Sequence, residues 1–217
     1  PKYLFGLSLD LAGLPTPTSI EAWVNWVRGD FSPPRDPRVL FWARVPAALF
    51  GVGGALAIFS VGYQMHGRLV GILASLLLTL NPLYLTHARR AMSDSFTECL
   101  VIAAVAVGLW GSREMWRAQF RFWRWFLFAA TESVLCGLAA LAKLNGGIAT
   151  AIVLGMLGCC WISAVWFRFR GTRPCQSLNR WNLCAAPVAA FGIGVGRFLL
   201  FLNLNPFLTA HPNLGAN

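Results

Sequence analysis

Six long apolar runs, separated by short polar segments, dominate the chain. They cover residues 39–60, 69–85, 96–110, 125–142, 148–167 and 181–204. The runs are continuous rather than alternating, and most approach the ~20 residues that an α-helix needs to cross a bilayer, so strands are not expected. The pattern predicts an all-α fold, namely a polytopic transmembrane helical bundle of about six spans.

The first 38 residues have a different pattern. Residues 3–14 are apolar but too short to span a membrane, so we expect a re-entrant or interfacial helix there. A second short helix is predicted over residues 19–27, with Trp23 and Trp26 on one face, as is typical of an element in the membrane interface. The prediction is one transmembrane domain over 1–217, with an external loop carrying interfacial helices at 1–38, six spans within 39–204 and the start of another external loop at 205–217.

Local features inside the runs predict a turn, a break and one close packing surface. A turn is expected over residues 63–68, between the first two spans. Asn81-Pro82 should end the second span early, because proline cannot continue the hydrogen-bond ladder of a helix. We expect residues 84–87 to be irregular backbone lining a cavity. The small residues of segment 46–55 should allow another helix to approach the first span closely.

Charge is scarce and unevenly distributed. Only 12% of the residues are charged and 57% are hydrophobic, whereas soluble domains carry about 25% charged residues. The net charge of +10 comes largely from arginines in short loops around Arg68, 113–124 and 168–180. This distribution predicts cytoplasmic loops that anchor a membrane protein, and it argues against nucleic-acid binding. The remaining loops then lie on the non-cytoplasmic side.

The polar segment HARRAMSD, residues 87–94, stands between the second and third runs. Placing His87, two arginines and Asp94 at the mouth of two membrane helices is costly, and such ionisable groups are by default candidates for a functional site. The alternative is that the arginines only anchor helix ends at lipid headgroups. All the unusual polar loops fall on the non-cytoplasmic side, which favours the functional interpretation.

The other polar residues of the runs give weaker signals. Glu98 and Glu132 are expected to be interhelical hydrogen-bond partners or site groups, with structure favoured. Arg197 is left unassigned, and His211 is a single histidine in an external loop. The chain shows neither a paired-cysteine motif nor a set of carboxylates and histidines suited to a metal, so neither a metal nor a cofactor is predicted.

Three motifs, in this order, resemble a known family. They are ARVPAALFG with Arg44 near its start, GRLVGILASLLLTLNPLYLTHARRAMSD, and GLAALAKLNG with Lys143. Together they resemble the polyprenyl-phosphate-sugar-dependent glycosyltransferases, which include the protein O-mannosyltransferases and the aminoarabinose transferases of lipid A and share the C-type glycosyltransferase fold. The family's His-x-Arg followed five residues later by Asp is matched by His87, Arg89 and Asp94. The tail of its His-Pro-Pro segment with a nearby lysine is matched by Pro1-Lys2.

The resemblance implies a sugar transferase that uses a lipid-linked donor. Its substrates would be a polyprenyl-phosphate sugar and a protein or lipid acceptor, on the non-cytoplasmic face of what we expect to be a bacterial inner membrane. The residues expected to bind the donor phosphate or sugar are Lys2, Arg44, His87, Arg89, Asp94 and Lys143. Cations there would stabilise charge on the departing phosphate, and Asp94 would orient Arg89 or Arg44 or bind the sugar, unless it only forms an ion pair between two helices.

The family's catalytic acidic pair lies upstream of its His-Pro-Pro segment. Because the chain begins at Pro1 and ends at Asn217 in a polar loop, we expect an interior piece of a longer protein, inactive alone, with no catalytic base of its own. A rival interpretation is a transporter or flippase segment for a lipid-linked or anionic substrate, although no internal repeat is apparent. A purely structural membrane subunit does not account for HARRAMSD.

Overall fold

The computed structural model describes residues 2–14, 37–89, 93–116, 121–170 and 180–204. Within these ranges the regular structure is helical and contains no strand. The helices are α1 (Lys2–Leu11), α2 (Pro37–His66), α3 (Arg68–Thr79), α4 (Pro82–Arg89), α5 (Ser93–Met115), α6 (Phe122–Ala142), α7 (Ile148–Arg170) and α8 (Arg180–Leu204), with a 3-10 turn over Leu144–Gly147. The helix expected over 19–27 and the loop over 205–217 lie outside the described residues.

Five helices, α2, α5, α6, α7 and α8, are long and apolar enough to cross a membrane. The pair α3 and α4 passes the same test together but is bent by 68° at its break, so the described residues provide up to six spans. The prediction of an all-α polytopic bundle is therefore confirmed. Many outward-facing leucines, such as Leu69 and Leu77, are exposed, as expected of helices whose outer faces contact lipid rather than water.

The expected break at Asn81-Pro82 is present, but the backbone after it is regular. Asn81 Oδ1 accepts a hydrogen bond from the backbone N–H of Leu83 at 2.9 Å, which satisfies one of the free donors of a new helix. Pro82 occupies the first helical position, where its missing N–H costs nothing. The expectation of irregular backbone over residues 84–87 is wrong, because this cap restarts the helix as α4.

The turn between the first two spans is also shorter than expected. Helix α2 continues through His66, so residues 63–66 are helical rather than part of a turn. Gly67 alone makes the reversal, with φ of 91°, a left-handed conformation that glycine adopts without a steric penalty. Near this reversal a Cβ on Gly62 would lie 2.8 Å from the Cα of Gly71. Helices α2 and α3 therefore cross backbone to backbone.

The glycines of α2 also hold α4 and α5, as segment 46–55 predicts. A Cβ on Gly51 would lie 2.8 Å from the Cβ of Ala88 in α4, and one on Gly53 would lie 3.0 Å from Cys99 Sγ in α5. The Tyr84 hydroxyl of α4 donates a hydrogen bond to the carbonyl of Gly51. These close approaches fix the position of α4 beside α2.

Helices α5 to α8 share the largest buried apolar cluster of the described residues. It includes Ala104, Phe128, Val153 and Ile193, one from each of the four helices.

At the end of the bundle where α6 begins, an ion pair joins α6 to α5. Arg124 Nη1 donates to both carboxylate oxygens of Glu114, at 2.9 and 3.1 Å, and hydrogen bonds between charged groups are stronger than those between neutral ones. The apolar cluster holds α5 to α8 together as one packed unit, and the ion pair adds a polar contact between α5 and α6.

Helix α1 packs against the bundle rather than standing apart. Its Ser8 hydroxyl donates hydrogen bonds to the carbonyls of Phe5, at 2.8 Å, and of Trp42 in α2, at 2.9 Å. Phe5 meets Phe96 of α5 edge to face, with ring centroids 5.4 Å apart. The helix therefore contacts the outer turns of α2 and α5, at the same end of the bundle as Asp94.

Candidate functional site

The alternating direction of the helices brings several predicted site residues to one end of the bundle. This end contains the start of α2, the end of α4, the start of α5 and the end of α6. Four side chains meet there in two contacts, and we call them the mouth cluster: His87, Asp94, Glu98 and Lys143. Asp94 of HARRAMSD and Lys143 of GLAALAKLNG, distant in sequence, are therefore neighbours.

The first contact of the mouth cluster is between Lys143 and Asp94. Lys143 Nζ lies 2.5 Å from Asp94 Oδ1, and the two side chains are 47% and 26% exposed. An ion pair this open to solvent contributes about 0–1 kcal/mol of stability. Because the pair is weak in net terms, Lys143 can exchange Asp94 for another anion, such as a phosphate, at small cost.

The backbone after α6 determines the position of Lys143. Lys143 caps the helix in an extended conformation, φ −157° and ψ 141°, and the 3-10 turn Leu144–Gly147 follows directly. A Cβ on Gly146 would lie 3.0 Å from the backbone nitrogen of Ala140 and closer still to the Ala139 carbonyl. The turn can therefore fold back on α6 only with glycine at position 146.

The second contact of the mouth cluster is between His87 and Glu98. His87 Nδ1 lies 2.8 Å from Glu98 Oε1, with side chains 20% and 34% exposed. Asp94 and Glu98 are four residues apart and therefore share a face of α5, but each contacts a different element. Glu98 Oε2 is buried and has no hydrogen-bond partner among the described residues.

The structure does not bring Arg89 or Arg44 to Asp94. Both arginines are exposed, and neither forms an ion pair with another residue of the described ranges. Arg89 is the last residue of α4, and Arg44 lies two turns inside α2. The expectation that Asp94 orients one of them is wrong, because Lys143 is closer. The side chain of Lys2 lies outside the described residues.

Two further polar residues of the spans have different surroundings. Glu132 is fully buried within α6, where Cys136 Sγ lies 3.7 Å from its Oε2, so its position favours the structural role over the mouth. Arg197 of α8 lies close to the turn after Lys143. Its Nη2 is only 3.0 Å from the position that a Cβ on Gly147 would occupy. Sequence reasoning left Arg197 unassigned, and its approach to that turn depends on how α8 packs, which no local motif reveals.

The opposite end of the bundle carries the Arg124–Glu114 ion pair together with several exposed arginines. Arg113, Arg121 and Arg168 are exposed, and the Arg170 guanidinium stacks 4.4 Å from the ring centroid of Trp166. Arginines and tryptophans in this arrangement are typical of helix ends at a lipid interface. The contrast leaves the mouth cluster as the stronger candidate for a site.

The mouth cluster combines one ammonium group, one imidazole and two carboxylates. Lysine can bind phosphate as a point charge, and carboxylates and imidazole can accept hydrogen bonds from sugar hydroxyls. No group of three or more metal-binding side chains occurs among the residues that the structure describes. The chemistry at this end of the bundle thus fits a ligand with an anionic group and hydroxyls.

Comparisons with known proteins identify the family. No individual curated protein and no solved structure matches the chain. The family model described as dolichyl-phosphate-mannose-protein mannosyltransferase matches residues 2–201, almost the whole chain, including every predicted site residue. This chain therefore belongs to the dolichyl-phosphate-mannose-protein mannosyltransferase family, a family of membrane glycosyltransferases that take their sugar from a polyprenyl-phosphate donor.

Proposed function

We propose that the intact protein transfers mannose or a related hexose from a polyprenyl-phosphate donor to a hydroxyl of a protein or lipid acceptor. The observation that carries the proposal is the meeting of His87, Asp94, Glu98 and Lys143 at one end of a membrane bundle of this family. The family description names a protein acceptor, so a protein hydroxyl is the first acceptor to test.

Lys143 has the central electrostatic role in this proposal. When the bond between the anomeric carbon and the phosphate breaks, negative charge develops on the departing polyprenyl phosphate. A cation fixed beside that oxygen stabilises the transition state, which is usually the largest single contribution to catalysis. Lys143 in the resting protein is held by Asp94, and the donor phosphate would replace this carboxylate. Arg89, Arg44 and Lys2 are the further cations proposed for the donor phosphate.

The proton of the acceptor needs a base. In an inverting transfer the hydroxyl oxygen attacks the anomeric carbon, its proton passes to a carboxylate, and the bonding electron pair leaves with the phosphate. By resemblance the carboxylate belongs to an acidic pair that precedes the segment matched by Pro1-Lys2. We therefore propose that residues 1–217 bind the donor and that, expressed alone, they do not transfer sugar.

The proposed location is a bacterial inner membrane, with the mouth cluster on the non-cytoplasmic face. The exposed arginines at the other end, such as Arg113 and Arg168, support this orientation through the positive-inside rule. The rival function, transport of a lipid-linked or anionic substrate, would be expected to place its charged groups near the midplane. The mouth cluster lies instead at the helix ends.

The test is a transfer assay with the intact protein in liposomes. The donor is polyprenyl phosphate carrying radiolabelled mannose, and the acceptor is a peptide rich in serine and threonine. We expect label on the peptide, and loss of that label when Lys143 is replaced. Label in the lipid extract instead would indicate a lipid acceptor. Movement of the donor across the bilayer without any transfer would contradict the proposal and support the transporter.

A further inference from the structure

The pair between His87 and Glu98 fixes the chemistry of the imidazole ring. When Glu98 is ionised it has no hydrogen to donate, and the 2.8 Å contact then assigns the proton to His87 Nδ1. In a neutral ring Nε2 is then an acceptor. The side chain of His87 is only 20% exposed, so the surrounding protein restricts the orientation of the ring as well as its tautomer.

Glu98 is not needed to hold α4 in place. That helix is already fixed to α2 by the hydrogen bond from Tyr84 to the Gly51 carbonyl and by the close contact of Ala88 with Gly51. Glu98 nevertheless keeps a buried Oε2 without a partner among the described residues. A buried polar atom without a partner is costly and calls for an explanation. The other oxygen, Oε1, contacts His87, which is consistent with a positioning function for that carboxylate.

We infer that Glu98 is a positioning residue that presents His87 Nε2 to a sugar hydroxyl of the donor. This inference rests on the proposed function and assigns a separate ligand group to each half of the mouth cluster. A phosphate oxygen only accepts hydrogen bonds, so it suits Lys143 and not a neutral Nε2. A sugar hydroxyl can donate to Nε2. His87 and Glu98 therefore recognise the sugar, whereas Lys143 recognises the phosphate.

The test compares two measurements on the intact protein: KM for polyprenyl-phosphate mannose, and the dissociation constant of polyprenyl phosphate without sugar. Glu98→Met removes the acceptor and keeps the volume. It should raise KM about 10- to 100-fold, the size of effect typical when a metal-binding histidine loses the partner that orients it, and leave binding of the bare lipid phosphate unchanged. Glu98→Gln can still accept from Nδ1 and should restore most of the wild-type KM. His66→Asn, at the other end of α2, is the matched control.

A double-mutant cycle shows whether Glu98 acts through His87. In a His87→Ala background, Glu98→Met should raise KM no further. If its effect is equally large in both backgrounds, or if binding of the bare lipid phosphate weakens as much as KM rises, the inference is wrong. Absence of transfer by the wild-type protein would instead contradict the proposed function itself.

A second variant, His87→Asn, tests the same inference if Glu98→Met does not fold. His87→Asn places an amide N–H near the position of Nδ1, so it can keep the contact with Glu98 while Nε2 is removed. We expect a raised KM with an unchanged melting temperature. A wild-type KM in His87→Asn would overturn the inference.

Discussion

Replacing Lys143 with methionine shows whether this residue acts in catalysis or only links two helices, because the two roles predict losses of very different size. Methionine keeps much of the apolar stem and removes the charge. If the contact with Asp94 only ties α5 to α6, its loss should cost about 0.2–1 kcal/mol of stability, because both partners are partly exposed. If Lys143 stabilises the departing phosphate, turnover should fall about 10²–10³-fold, equivalent to ~3–4 kcal/mol in the transition state.

The two expectations differ enough to be measured without ambiguity. Initial rates of mannose transfer over a range of donor concentrations give kcat and kcat/KM, and thermal unfolding in detergent gives the change in stability. We expect a large loss of kcat and a small decrease in melting temperature for Lys143→Met. Arg113→Met is the matched control, since Arg113 is an exposed cation at the opposite end of the bundle, and it should retain wild-type rates.

One result would refute the reasoning about Lys143. If Lys143→Met loses less than about threefold in kcat/KM, well below the effect expected for a preorganised charge contact, the ammonium group does not act on the phosphate. An equal loss in Arg113→Met would show that the charge of the bundle as a whole matters, rather than the position of Lys143. In either case Lys143 is a structural partner of Asp94.

Two further predictions concern topology and packing. Cysteine-accessibility labelling of the intact protein should place Arg113→Cys and Arg89→Cys on opposite sides of the membrane, and labelling on one side only would contradict the proposed bundle. Gly54→Val should displace Tyr84 from α2, because a Cβ on Gly54 meets the Tyr84 hydroxyl, and should cost about 1–3 kcal/mol. Gly155→Val has open space around it and should change the melting temperature little.

Much of the fold could be predicted because hydrophobic length is a local property of the sequence. Continuous apolar runs predict spans, and the small residues of segment 46–55 predict the close approach of α4 to α2. The break at Asn81-Pro82 was predictable because proline lacks an N–H. The helical backbone of α4 was not, since it depends on the side chain of Asn81 acting as a cap. The Asn81-Pro82 motif alone is consistent both with irregular backbone and with a new helix after the break.

The pairings of the candidate site could not be predicted from spacing. Asp94 and Lys143 are 49 residues apart in sequence, and their contact follows from the packing of α5 against α6. The expected partners of Asp94 were Arg89, five residues away in the sequence, and Arg44 of the neighbouring motif. Glu98 forms an interhelical contact, as expected, but its partner His87 on α4 could not be identified from spacing. Local motifs identified the residue types, whereas tertiary packing chose the partners.

The most direct test of the central claim is to locate the donor on the protein. A polyprenyl phosphate with a photoactivatable group next to the phosphate would be cross-linked to the intact protein, and the modified residues identified by mass spectrometry. If the mouth cluster binds the donor, we expect adducts within residues 87–98 or 143–147, and excess polyprenyl-phosphate mannose should abolish them. Adducts confined to the opposite end, around Arg113 and Arg168, would contradict this claim.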